Sequence, residues 1–285
     1  MVRADDFQMP CHRQCFTVMW HPKQRQINMR KLLILFLGSF AVSTTSYGQR
    51  DSLWSQDDIS NVTVFLYQKT SDTSAKSGSG TIISHDGKYF LLTANHVAKE
   101  MRNDAKVVFR ISGDKPGIID LLVLSKTHSL NWTSHPIADL SLMELSTTNK
   151  DIEKRLKEWS FPSYLIYGGK DAAPKDVDIT FLGYPLLDLQ LEHFSPLIFT
   201  SHLASGLITQ TRADTKTKCT FFYLDLPSMQ GCSGSGVYYS VKKAMFIGGN
   251  KTIFLGVVHG TQGDNTGGKL AAITPSYYIW DMLKD

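Results

Sequence analysis

Short apolar runs, each the length of one strand and each closed by Gly, Pro, Asn or Ser, recur from residue 59 to residue 273. That punctuation leaves few architectures open. In the first half the runs fall at 59–69, 80–84, 89–93, 107–111, 118–124 and 140–145. In the second they fall at 177–182, 197–200, 204–209, 220–226, 236–240, 244–247, 252–258 and 270–273. They are rich in Val, Ile, Phe, Tyr and Thr and too short for helices, and His85-Asp86-Gly87-Lys88 between two of them has the chemistry of a hairpin turn. In the middle only 151–159 has helical spacing, with Ile152, Leu156 and Trp159 on one face. Residues 275–283 put proline at a helix start, followed by an apolar face. The expectation is an all-β protein: two β-units packed together, each closed into a barrel or sandwich, joined by a short helical linker and finished by a C-terminal helix.

The start of the chain reads differently. Met29-Arg30-Lys31 and the apolar stretch 32–42 form a basic and then an apolar region, and Ser46-Tyr47-Gly48 supplies small residues for cleavage before Gln49. This predicts a secretory signal peptide over 29–48. The apolar stretch is about half of what a bilayer-spanning helix needs, so a permanent anchor is the weaker reading. Residues 1–28 are polar and without period, and are expected to be an extension outside the fold. The predicted organisation is then an N-terminal β-unit over 49–150, a linker over 151–176 and a C-terminal β-unit with its helix over 177–285.

Composition excludes several classes. With 42% hydrophobic and 20% charged residues the chain is an ordinary globular protein, and a net charge of +4 from scattered basic residues leaves no nucleic-acid footprint. The four cysteines, Cys11, Cys15, Cys219 and Cys232, are too few for a disulfide-built scaffold. Cys11 and Cys15 with His12 and His21 lack a second cluster that would complete a metal site. Asn61 and Asn131 head glycosylation triplets, but behind a leader of bacterial style they carry no expectation. The sequence thus predicts no cofactor, no metal and no stable membrane association once the leader is removed.

The chemistry concentrates in Gly231-Cys232-Ser233-Gly234-Ser235-Gly236. Small neighbours allow a tight turn in which the N–H groups of Gly231 and Ser233 face one space beside the Ser233 hydroxyl, where they could hold a developing oxyanion. A serine needs a base, and the base needs a carboxylate. His96 ends the apolar run 89–93 where the chain turns, and Asp139 precedes the leucine-rich Leu140-Ser141-Leu142. Each alone is ordinary; the order His, Asp, Ser is one that a known nucleophile class uses. The α/β-hydrolase order is excluded, because Ser235 breaks its glycine pattern and no Asp or Glu lies between Ser233 and His259.

At these residues the chain resembles the chymotrypsin-like serine proteases, in particular bacterial trypsin-like and HtrA-type members. Thr93-Ala94-Asn95-His96-Val97 is similar to the family's Thr-Ala-Ala-His block, with Asn95 in place of alanine. Ala138-Asp139-Leu140-Ser141-Leu142 is similar to its Asp-Ile-Ala-Leu block, and Gly231-Cys232-Ser233-Gly234-Ser235 to its Gly-Asp/Asn-Ser-Gly-Gly block. Phe181-Leu182-Gly183-Tyr184-Pro185 and Leu255-Gly256-Val257-Val258 match two supporting segments. The resemblance implies two six-stranded β-barrels with a cleft between them, Ser233 as nucleophile, His96 as base, Asp139 as orienting acid, and Gly231 and Ser233 as oxyanion donors. It further implies that Ser228, Val258, His259 and Gly260 border the substrate pocket, and that Cys232 replaces the aspartate of the digestive members' activation switch. Whether Cys219 and Cys232 pair after export stays open. The function implied is an exported serine endopeptidase, secreted or periplasmic and monomeric, acting on a protein or peptide without a PDZ domain. The alternatives are a catalytically silent protease-fold binding module and a membrane-tethered interaction protein.

Overall fold

The computed structural model describes residues 53–284 apart from 73, 128, 186–190, 213 and 240–250. The signal peptide expected over 29–48, the expected extension 1–28, Cys11, Cys15 and the run 244–247 lie outside the described residues. Strands β1 (Thr63–Lys69), β2 (Ala75–His85), β3 (Lys88–Thr93), β4 (Lys106–Ser112), β5 (Lys115–Asp120), β6 (Thr133–Ser134) and β7 (Ser141–Leu145) form one antiparallel sheet in the order β5-β4-β1-β2-β3-β7-β6. The two-residue β8 (Phe161–Pro162) adds to β2 in parallel. Strands β9 (Ile179–Gly183), β10 (Leu197–Ser201), β11 (Ile208–Thr211), β12 (Lys218–Leu224), β13 (Gly236–Tyr239), β14 (Phe254–Gly263) and β15 (Lys269–Pro275) form the second, in the order β10-β9-β13-β14-β15-β12-β11. The all-β class with two antiparallel sheets agrees with the expectation; the sheets hold eight and seven strands among the described residues rather than six each.

The near-continuous apolar runs follow from sheets buried on both faces. Along a strand successive side chains alternate in direction, so neighbours in sequence enter different cores. On β2 and β3, Ile82 and Leu91 join Val64, Leu66 and Met143 in the interior of the first sheet. The next residues, Ile83 and Leu92, face a second cluster with Leu142, Phe161, Tyr238, Phe254 and Val257, which joins the two halves. On β9 and β15, Phe181 and Ile273 enter the interior of the second sheet while Leu182 and Ala272 face the shared cluster. Both halves belong to one compact unit. At the junction Phe161, Tyr238 and Phe254 pack with ring centroids 5.1–5.8 Å apart, and each such buried side chain is worth about 1.5–3 kcal/mol. Tyr184, fully buried, donates its hydroxyl to the Thr63 carbonyl at 3.0 Å across the same junction.

Helices differ from expectation at their ends. Residues 56–62 open the fold as α1 (Gln56–Val62), not as strand. The reason is a capping box: the Ser55 side chain accepts from the Asp58 N–H, and Asp58 accepts from the Ser55 N–H, so Ile59 and Val62 are buried one turn apart. The run 118–124 is split, with β5 ending at Asp120 and a 3₁₀ turn over Leu121–Leu124. The connector α3 (Lys150–Glu158) is capped by Asn149, whose side chain accepts from the N–H groups of Asp151 and Ile152. The last helix α4 (Tyr277–Leu283) starts two residues after Pro275, which closes β15 instead.

Candidate active site

Chain geometry first sets His96. Strand β3 stops at Thr93, Ala94 keeps extended backbone, and α2 (Asn95–Glu100) begins, so His96 stands on a helical turn rather than a strand end. Asn95 is buried, and its Oδ1 accepts the hydroxyls of Ser134 on β6 at 2.9 Å and Ser141 on β7 at 3.0 Å. That amide ties the helix bearing His96 to the two strands that flank Asp139.

The turn before Asp139 is shaped by a second buried histidine. His135 Nδ1 accepts the N–H groups of Ile137 at 3.2 Å and Ala138 at 2.9 Å. An imidazole nitrogen that accepts two amides carries no proton, and burial pushes the His135 pKa below its ordinary value despite the nearby Asp281. Asp139 follows with no exposed surface. Its Oδ1 accepts the His96 N–H at 3.0 Å, and its Oδ2 accepts His96 Nδ1–H at 2.6 Å. Oδ2 also accepts Nδ1–H of His259 at 2.6 Å, and the buried Arg212 puts Nη2 3.4 Å from Oδ1. Burial alone would raise the Asp139 carboxyl; the hydrogen bonds and charges of His259 and His96 outweigh it and hold the group well below the usual carboxylate range. Arg212 also donates to the Ile137 carbonyl at 3.0 Å and doubly to Asp214, so it braces the turn as well as the carboxylate.

Ser233 sits in a loop that only glycine on both sides permits. Gly231 has φ +95° and Gly234 φ +89°; a Cβ would lie 2.4 Å from the Tyr184 carbonyl oxygen at the first and 2.0 Å from that of Ser79 at the second. The loop is pinned from the first sheet. Ser79 on β2 donates its N–H to the Ser233 carbonyl at 2.8 Å and its hydroxyl to the Gly231 carbonyl at 2.7 Å. From the second sheet, Val258 accepts the Gly234 N–H at 2.8 Å. The N–H groups of Gly231 and Ser233 donate to no other group among the described residues. The Ser233 hydroxyl donates to the His259 carbonyl at 3.1 Å and not to His96.

The remaining expected residues part company. Val258 is fully buried in the interior of the second sheet. Ser228 is partnered by Thr261, hydroxyl to hydroxyl at 3.0 Å, and Gly260 lies beside a bulge in β14. Cys219 and Cys232 are free and buried in different clusters, with the Cys232 thiol pushed up to about 11 by burial. Sequence reasoning missed Asn95, His135 and Arg212 as supports of the site and His259 as a partner of Asp139. Asn95 beside His96, in place of the family's alanine, and His135, three residues ahead of Ala138, were signals that spacing alone did not turn into roles.

His96, Asp139 and His259 bring two nitrogens and one oxygen within 4.8 Å of one another, a donor set suited to a transition metal. Both Nδ1 atoms already direct N–H at Asp139, so a cation would have to replace both protons. What the arrangement offers as it stands is an ionised, buried carboxylate that orients two imidazoles through their Nδ1 atoms.

The fold is that of the chymotrypsin-like proteins built from two antiparallel β-units. Solved structures similar to it are trypsin-like and HtrA-type serine proteases: the active form of the Rv3671c protease from M. tuberculosis matches with TM-score 0.51 and 16% identity, over 80% of this chain and 82% of that one. The HtrA-type protease AlgW with tripeptide matches with TM-score 0.50 and 17% identity, over 81% of this chain and 63% of that one. No protein-family model and no curated protein matches the sequence, so at these identities the likeness is one of fold.

Proposed function

We propose that this chain is an exported serine endopeptidase that cleaves peptide bonds through an acyl-enzyme. The observation that carries the reading is the buried Asp139 bonded through Oδ2 to His96 Nδ1, with Ser233 held nearby in a two-glycine loop whose adjacent N–H groups are unspent among the described residues. In this reading Ser233 Oγ rotates from the His259 carbonyl to His96, a change between staggered wells, and attacks the scissile carbonyl carbon as His96 Nε2 takes its proton. The N–H groups of Gly231 and Ser233 hold the tetrahedral oxyanion, a contribution for which one donor is typically worth roughly 10²–10³ in turnover. Collapse breaks the C–N bond, and His96 returns the proton to the leaving amine; water then repeats the sequence on the ester. Asp139 stays ionised and stabilises the imidazolium.

Export rests on the leader at 29–48; among the described residues no helix is long and apolar enough to cross a membrane. Cys232 supports activation without a new N-terminus, since a buried neutral thiol offers no charge to pair with one. The substrate on this reading is a protein or peptide, bordered by Ser228, His259 and Gly260, and the organisation is the one read from sequence, with β-units over 49–150 and 177–285. One observation favours a silent binding module instead: the Ser233 hydroxyl rests on a carbonyl rather than on His96. Labelling the purified protein with a fluorophosphonate, beside Ser233→Ala and His96→Ala and with casein cleavage, decides between them. Labelling and proteolysis lost in both variants support the peptidase; a folded wild type that neither labels nor cleaves refutes it.

A further inference from the structure

In β14, Val258 pairs with Ile273 and Gly260 with Ala272, so His259 is the extra residue of a β-bulge. Bulges re-aim a side chain and free backbone groups from the ladder. Here both effects act on the same site: the His259 ring turns to Asp139 Oδ2 at 2.6 Å, and its carbonyl accepts the Ser233 hydroxyl at 3.1 Å. Phe221 packs against the ring at 5.1 Å between centroids, and the His96 ring stands edge-on to it at 5.8 Å.

We propose that His259 is a positioning residue of the triad, holding Asp139 with its ring and the resting Ser233 hydroxyl with its carbonyl; this rests on the reading of His96, Asp139 and Ser233 as a triad. Without the ring, Oδ2 would keep His96 Nδ1 as its one donor, and a misplacement of about 1 Å at such a group can cost 10²-fold in rate. With it, Asp139 has a donor on Oδ1 from the His96 backbone, two on Oδ2 from the rings, and Arg212 beyond, which leaves the carboxylate no rotational freedom. The charged group on the His259 ring is Asp139, with Arg212, just after β11, on the other carboxylate oxygen and Asp214 behind Arg212.

The test reads the shared carboxylate separately from activity. Apart from the half-exposed His202, whose Nδ1 pairs with Asp225, the full chain labelled with ¹⁵N-histidine should show two low-field imidazole Nδ1–H resonances; His259→Phe, which keeps a ring but no donor, should show one, with the remaining His96 signal shifted. Fluorophosphonate labelling of His259→Phe should slow about 10–100-fold, and His259→Gln, which keeps an N–H donor, should recover most of the loss. One resonance in the wild type, or labelling of His259→Phe at the wild-type rate, overturns the inference. Two resonances in a wild type that does not label would refute the peptidase reading and the positioning role with it, leaving only the shared hydrogen bonds.

Discussion

Replacing Arg212 by methionine removes the only cation within reach of Asp139 among the described residues other than the two rings, while keeping most of the aliphatic stem. Two unit charges 3.4 Å apart interact by about 5 kcal/mol at an effective dielectric of 20. Not all of that is lost. The arginine no longer has to be desolvated, and Asp139 keeps three N–H donors from His96 and His259. Against this, the Ile137 carbonyl loses its donor, and a buried charge pair broken on one side typically costs about 3–5 kcal/mol. The expected loss for Arg212→Met is about 3 kcal/mol, the low end of that range, or a fall of roughly 6–12 °C in Tm for a protein of this size. The assay is urea unfolding followed by far-UV circular dichroism at pH 7, in a Ser233→Ala background that on the peptidase reading prevents self-digestion, completed as a cycle with Asp139→Asn. Once Asp139→Asn is in place, the cost of Arg212→Met should drop by about 2 kcal/mol, because only the Ile137 and Asp214 contacts remain to be lost. A coupling below about 0.5 kcal/mol would refute the reasoning and assign Asp139 wholly to its histidines.

Three further outcomes follow from the same geometry. His135 is bound unprotonated and its pKa is lowered by burial, so its contribution is complete above an unfolded value of about 6.5 and is lost as pH falls below that; the urea midpoint of the wild type should decline from pH 7 to 5 more steeply than that of His135→Asn, and parallel curves would contradict this. Gly234→Ala should lower stability by about 2–5 kcal/mol and abolish fluorophosphonate labelling, combining a positive φ with a methyl forced onto the Ser79 carbonyl; a variant that unfolds at the wild-type urea concentration would disprove the close approach. The Cys232 thiol, buried and raised to about 11, should resist Ellman's reagent in the native state and react on unfolding; fast native reaction would refute its burial.

Much of the fold was legible because its determinants are local. Short apolar runs and turn chemistry mark β3, β7, β9 and β12 within a few positions of where they lie. The run ahead of β1 was misread for an equally local reason: the Ser55–Asp58 capping box converts Ile59 and Val62 from strand spacing to helix spacing. The site was legible only in part. His96, Asp139 and Ser233 stand in recognisable blocks, and the first two are joined directly. His259 was expected at the pocket and is found on Asp139, because a bulge is a mismatch between two strands and leaves no mark in either one. Arg212 and Asn95 act through partners 73 and 39–46 positions away, a distance over which spacing carries no information.

Ser79 gives the loop around Ser233 a particular dependence. Its N–H and hydroxyl hold the Ser233 and Gly231 carbonyls, its own carbonyl accepts Thr93, and its hydroxyl accepts the Tyr184 N–H. The mould for the Ser233 loop is therefore supplied by β2, some 150 residues earlier in the chain than the loop it shapes. Residues 177–285 cannot cast that loop by themselves. On the exported-peptidase reading, the reactive shape of the loop exists only after the later-made half has closed on β2.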